Sequence, residues 1–269
     1  MNDREMPLDE YLLNPSESES VSSAYLLSIS KCMRQYGLTF NVPKEQSRSG
    51  AKDDAPKTRT DGRFGFQSIK HARKWGYHSA DDVFREPAKH KNQSIEKPDG
   101  WFALTGSRSL GEAFGPGGVS RSGSQVPERG CVGTALLQIT GSRNGNIGDA
   151  KLVTNLKFST LIKGQKDPET LKVFSLWAHC MKNLTYSYGS PLEPMRDPLW
   201  LKSTKPSAEE INTAVADQKC RAKYNVVGVW YVADLKYQKQ AVKENQRQLI
   251  AAKRNKIRQV RAARKILGK

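Results

Sequence analysis

The chain has 269 residues, 37% of them hydrophobic, and a formal net charge of +17 at pH 7. That length is enough for one large domain or two small ones, while the modest apolar content points to a core plus considerable exposed chain. The charge favours an anionic partner: nucleic acid, an acidic membrane surface or an anionic wall polymer.

Residues 1–15 read as an N-terminal tail. They open with acidic and polar residues, not a basic and then apolar leader, so the expectation is either a cytoplasmic protein or an exported chain whose leader has been removed. Ser16 begins a helix in the capping-box pattern Ser16-Glu-Ser-Glu19. Ala24, Leu27, Ile29, Cys32, Met33 and Tyr36 follow with helical spacing, and Gly37 closes the element. Residues 44–60 are polar and read as a loop. Asp61 opens a short helix or turn; beyond it Phe66, Ile69, His71, Ala72 and Trp75 share a face up to Gly76. "SADDVF" caps another turn.

Residues 87–130 are rich in Gly, Ser and Pro and read as a long irregular loop. Their run "GSRSLGEAFGPGGVSRSGS" lacks the preceding strand and Lys-bearing helix of a phosphate loop and reads as a flexible connector. "CVGTALLQI", from Cys131, predicts a helix. Asp167-Pro168-Glu169 is a strong helix start, with Asp as N-cap and Pro at the first position. Leu171, Phe174, Trp177, Cys180, Met181 and Leu184 then line one face. A Pro-rich loop leads to Ser207-Ala-Glu-Glu210, a second capping box. Helical pattern continues almost to the end, with a break near Tyr224-Asn225 and Gly228.

Residues 226–269 predict a long basic helix of about 60 Å at 1.5 Å per residue, part of it projecting or folded back as a hairpin. Leu235, Val242, Leu249, Ile257, Val260 and Leu267 give it a narrow apolar stripe. The fold class is therefore mainly α: a helical domain over 16–225 and a long C-terminal helix, with long irregular loops. No long alternating strand pattern and no run of roughly 18 apolar residues occurs, so no transmembrane segment is expected.

One phrase is written twice. "ISKCMRQYGLTF" and "WAHCMKNLTYSY" share a Cys-Met pair, a large apolar residue three positions earlier (Ile29, Trp177) and an aromatic eight after the Cys (Phe40, Tyr188). This suggests an internal pseudo-repeat of two inward-facing helices. None of Cys32, Cys131, Cys180 and Cys220 lies in a CxxC or CxxH unit, which argues against zinc. Two readings stand: four buried thiols in a cytosolic protein, or two disulfides in an oxidising compartment. If the halves are related, the economical pairing is Cys32–Cys131 with Cys180–Cys220.

Catalytic signals are absent. His71, His78 and His90 have no evident partner and read as surface or core residues. Trp75-Gly76-Tyr77-His78 has the composition of a sugar- or base-stacking patch, but a helix end with its aromatics packed inward accounts for it more simply. No cofactor or metal is expected. The strongest binding signal is the tail "AAKRNKIRQVRAARKILGK". From Gln218 to the end there are fifteen Lys or Arg against Asp234 and Glu244, most of the whole-chain excess. Lys253, Arg254, Lys256, Arg258, Arg261, Arg264 and Lys265 are the candidate polyanion-binding residues, with a merely solvated helix as the competing reading.

Six segments in order resemble an uncharacterised family of exported proteins and lipoproteins of actinobacteria such as Streptomyces. "CMRQYGLTF", closed by Pro43, resembles the family's first Cys-Met segment. "GRFGFQSIKHARKWGYH" resembles a segment ending in Gly-Tyr-His, and "GCVGTAL" one with Gly-Cys-x-x-x-Ala. "WAHCMKNLTYSYGSP" resembles the second Cys-Met segment, "PSAEEINTAVADQKC" an Asp-x-x-Cys helix, and "YQKQAVKENQRQL" the start of a long last helix. The resemblance implies export, often with a lipid-anchored N-terminus, and paired cysteines; it supplies no activity or catalytic residue. This chain departs from the family in its opening, which has no leader or lipobox cysteine, in Asn183-Leu184 where Gly is usual, and in a more basic last helix.

The sequence thus reads as an exported, non-enzymatic protein of the cell envelope or medium, binding an anionic wall polymer, membrane surface or protein through its basic end. A cytoplasmic nucleic-acid-binding protein and a secreted enzyme or toxin with scattered site residues are the alternatives.

Overall fold

A computed structural model describes residues 5–41, 62–65, 68–78, 98–110 and 112–269. The expected loop at 44–60, the turn at "SADDVF" and His90 lie outside them. The fold is mainly helical: among the described residues there are nine α-helices, three short 3-10 turns and one two-stranded antiparallel ladder. The chain forms two compact units, each assembled from three separated segments.

The first unit comprises Met1–Glu10, Gln46–Pro87 and Leu152–Gln246. Its helices are α2 (Ile69–Trp75), α5 (Lys151–Gln165), α6 (Pro168–Asn183), α7 (Ala208–Lys223) and α8 (Val226–Glu244). For α6 the expected start holds: the Asp167 side chain accepts from Glu169 N–H and Pro168 follows. The core is aromatic. Trp177, Trp230, Phe64, Phe174, Met6 and Met181 are all buried in one cluster. Trp230 meets Phe64 and Phe174 edge-to-face, with centroids 5.0 and 5.5 Å apart, the arrangement that ring quadrupoles favour. Leu171 and Leu184, expected on the inner face of α6, are instead exposed.

The second unit comprises Tyr11–Glu45, Ala88–Lys151 and Arg247–Lys269. It holds α1 (Pro15–Gln35), α3 (Pro98–Thr105), the ladder β1 (Gly118–Val119) with β2 (Gln125–Val126), α4 (Gly130–Thr140) and α9 (Gln246–Leu267). The capping box that starts α1 sits two residues earlier than expected. Asn14 accepts from Glu17 N–H and Glu17 accepts from Asn14 N–H, both at 2.8 Å, and Pro15 takes the first helical position that its missing N–H suits. The core consists of smaller side chains: Ile29, Met33, Ala103, Leu104 and Ala135 around Cys32–Cys131, and Leu13, Val21, Ala24, Ile139 and Ala263 beside them.

Three expectations change. The Gly-rich run is no flexible connector over its described residues. Gly115 N–H donates to Thr105 carbonyl and Gly117 N–H to Gly106 carbonyl, both at 3.0 Å. A side chain at Gly115 would meet the Gly106 carbonyl at 2.4 Å, so two backbones approach there as only glycine permits. The continuous helix over 226–269 is two helices. Asn245 ends α8, its N–H and its side-chain amide both donating to the Ala241 carbonyl. Finally, α5 has no counterpart in the sequence reading.

Candidate functional site

The four cysteines form two disulfides, Cys32–Cys131 and Cys180–Cys220, the pairing that the repeated phrase favours. Each unit holds one. Met33 and Met181, the neighbours of the first cysteine of each pair, are fully buried. The Cys-Met phrase is therefore packing and crosslink, not a reactive site.

The first unit contains a buried polar network. Asp217 on α7 is completely enclosed. One carboxylate oxygen accepts from Trp177 Nε1 at 2.9 Å and from Arg221 Nε at 2.6 Å; the other accepts from the Tyr77 hydroxyl at 3.3 Å. Arg221 also donates to the Phe64 and Pro191 carbonyls. Burial pushes the Asp217 carboxyl above the usual range, opposed by the Arg221 charge. Burial likewise pushes the Tyr77 hydroxyl well above its ordinary value, with the Asp217 charge adding to it. Two turns before Asp217 on the same helix, Glu210 accepts from the backbone N–H of Tyr77 and His78 and pairs with His78 Nδ1 at 2.8 Å. The second capping box is thus half present: Ser207 caps Glu210 N–H, but the Glu210 carboxylate serves the Tyr77-His78 segment.

This arrangement explains the Trp75-Gly76-Tyr77-His78 patch. Trp75 is buried, Tyr77 stacks on Trp200 with centroids 6.1 Å apart, and His71 Nε2 lies 2.9 Å from the His78 carbonyl. The patch is turned inward and offers no free ring to a sugar or base. Two further buried pairs of this unit are Arg63–Asp234 and Lys157–Asp9. The network ties α7 to the Tyr77-His78 segment, to Trp177 and to the Phe64 and Pro191 carbonyls.

Two open clefts of about 450 Å³ are lined by polar side chains. One, in the first unit, is bordered by His179, Lys182, Tyr186 and Tyr188. The other, in the second unit, is bordered by Phe114, Glu128, Arg129 and Asn144. Arg129 has a left-handed backbone, φ 58°, at the start of α4, and its guanidinium lies 3.7 Å over the Phe114 ring while donating to Asn144. Among the described residues, no group of His, Cys, Asp and Glu is placed to hold a metal ion.

The basic residues of α9 form the remaining feature. Lys256 is half-buried and pairs with Glu17 at 3.1 Å. Arg258 donates to the Thr140 carbonyl at 2.9 Å. These two of the seven candidates are engaged inside the unit, through partners that lie more than a hundred residues away in sequence. Lys253 is exposed. Arg254, Arg261, Arg264 and Lys265 are exposed, and their side chains make no hydrogen bond or ion pair among the described residues. Arg247, not among the candidates, is exposed on the same helix. Gln259 and Ala263 are buried on the opposite side, where Gln259 accepts from Gly148 N–H at 2.8 Å. The helix carries no acidic residue. Its inner side is thus seated on the unit, and its outer side carries Arg254, Arg261, Arg264 and Lys265, whose charges have no acidic partner among the described residues.

Known protein families, curated proteins and solved structures contain no match to the chain. Among the described residues no helix is long and apolar enough to cross a membrane.

Proposed function

We propose that the protein is an exported, non-enzymatic component of the cell envelope or surrounding medium that binds an anionic partner through the outer face of α9. The observation that carries this reading is the cluster of Arg254, Arg261, Arg264 and Lys265, all exposed and without a side-chain partner among the described residues, on a helix without a single acid. Cations left without partners repel one another, and an anionic partner relieves that repulsion and releases counterions. Two disulfides support export, because such bonds persist in oxidising compartments. The likeness to actinobacterial exported proteins points the same way.

The binding half is tested with inorganic polyphosphate as the soluble probe. Affinity should fall steeply with NaCl, and replacing Arg254, Arg261, Arg264 and Lys265 by Gln should lower the log–log salt slope by about 3, roughly 0.7 per lost pairing on a single strand. An unchanged slope would overturn the reading. The export half is tested by thiol titration of protein taken from its native cells and denatured without reductant. No free thiol is expected; four would overturn it.

A further inference from the structure

The outer face of α9 is not purely cationic. Ile250 and Ile257 are exposed, at 45% and 38%. They lie seven residues apart, so at 3.6 residues per turn they stand on one line, about 10 Å from each other along the axis. At about 100° per residue, Arg264 falls on one side of that line and Arg254, Arg261 and Lys265 on the other. The isoleucines therefore form a short apolar ridge in the middle of the cationic arc, with long basic side chains flanking it.

Single exposed apolar residues are ordinary on protein surfaces. An aligned pair flanked by exposed cations that have no side-chain partner among the described residues is a more specific arrangement. A soluble polyanion has no use for an apolar ridge in the centre of its contact. An anionic bilayer surface does: the ridge enters the boundary between headgroups and acyl chains, while the flanking arginines reach sideways to lipid phosphates on their flexible stems. The helix is about 33 Å long and its opposite side is seated on the unit, so it would lie along the surface rather than span it.

We infer that α9 docks the protein onto an anionic lipid surface, with Ile250 and Ile257 entering the interface and Arg254, Arg261, Arg264 and Lys265 holding lipid phosphates. This rests on the anion-binding reading above and names the partner for the same face.

The test uses the full, oxidised chain, with vesicles of phosphatidylcholine containing or lacking 30 mol% phosphatidylglycerol, and polyphosphate in parallel. The chain should bind the anionic vesicles and not the neutral ones. Ile250→Ser with Ile257→Ser should weaken vesicle binding at least about tenfold, since partial burial of two such side chains is lost, and leave polyphosphate affinity unchanged. Arg254→Gln with Arg261→Gln should weaken both, by about fivefold per cation at the lipid surface. Serine variants that bind anionic vesicles as the parent chain does would overturn the lipid assignment and leave polymer binding standing. Binding of polyphosphate alone would do the same. Failure to bind either probe would overturn both the assignment and the reading beneath it. Both isoleucines are exposed, so the substitutions leave the fold intact, which circular dichroism and retention of both disulfides would verify.

Discussion

The two Cys-Met helices end in the same way and are surrounded differently. In α1, Leu38 N–H donates to the Met33 carbonyl and Gly37 N–H to the Arg34 carbonyl; in α6, Tyr186 N–H donates to Met181 and Thr185 N–H to Lys182. This is one C-terminal motif written twice, with a left-handed residue at Gly37 and at Thr185, φ 69° and 72°. Around it the environments diverge. Ile29 in the second unit belongs to a cluster whose buried members are Met33, Ala103, Leu104, Ala135 and the Cys32–Cys131 bridge, with no buried ring among them. At the matching position in the first unit, Trp177 packs among rings and donates to a buried carboxylate. The crosslinked partner differs too: Cys131 lies in the first turn of α4, whereas Cys220 lies near the end of α7. The repeat therefore covers one helix of each disulfide and stops there. The lesson is one of charge: the first unit encloses ion pairs such as Arg221–Asp217 and Arg63–Asp234, while the second keeps the ion pair Lys256–Glu17 at its margin and leaves Arg254, Arg261, Arg264 and Lys265 exposed.

Arg221 is the place to break that contrast. Arg221→Met strands the enclosed Asp217 carboxylate and should cost about 3–5 kcal/mol. Four of the five tryptophans, Trp75, Trp177, Trp200 and Trp230, belong to the first unit, so denaturation followed by their fluorescence reports it selectively. Adding Asp217→Asn to that variant should recover a substantial part of the loss, because the stranded charge is gone. A loss below about 1 kcal/mol would show that the network is incidental.

A smaller effect concerns alkaline pH. The Tyr77 hydroxyl is raised above its ordinary 10.0 in the folded chain. Its contribution is fully present below that unfolded value and is lost as pH rises toward the folded one. The stability of the first unit should therefore decline above about pH 10, by at most about 1.4 kcal/mol per pH unit from this group. Tyr77→Phe should flatten that decline, as read by denaturation at stepped pH; an unchanged slope would contradict the assignment. The smallest effect sharpens the repeat itself. Thr185 adopts the conformation that glycine holds at position 37, so Thr185→Gly should stabilise by about 0.5–1 kcal/mol. Nothing lies near Gly37, so Gly37→Thr should destabilise by a similar amount through backbone strain alone. Calorimetry of both variants checks the pair.

What could be read in the chain was local. Asp167-Pro168, Ser207, Gly37 and the break at Tyr224-Asn225 act through neighbours a few residues away, and the repeated phrase pointed to the cysteine pairing. What escaped was non-local or unpatterned. Asp217 gathers donors from Tyr77, Trp177 and Arg221, and only the last is a sequence neighbour. Lys256 and Arg258 looked like their neighbours until Glu17 and Thr140 claimed them. In α5, Phe158 is exposed while Lys157 and Thr160 are buried, which inverts the pattern that marks an amphipathic helix. At Asn245 neither glycine nor proline announces the end of α8.

The central claim is that anion binding belongs to the outer face of α9 and not to the net charge of the chain. Two variants of equal charge test it with polyphosphate over a range of NaCl. One carries Gln at Arg254, Arg261, Arg264 and Lys265; the other carries Gln at Lys172, Lys182, Lys219 and Lys239, exposed cations of the first unit. The account predicts that the first variant loses affinity and salt slope while the second stays close to the parent chain. Equal losses in the two variants would contradict it.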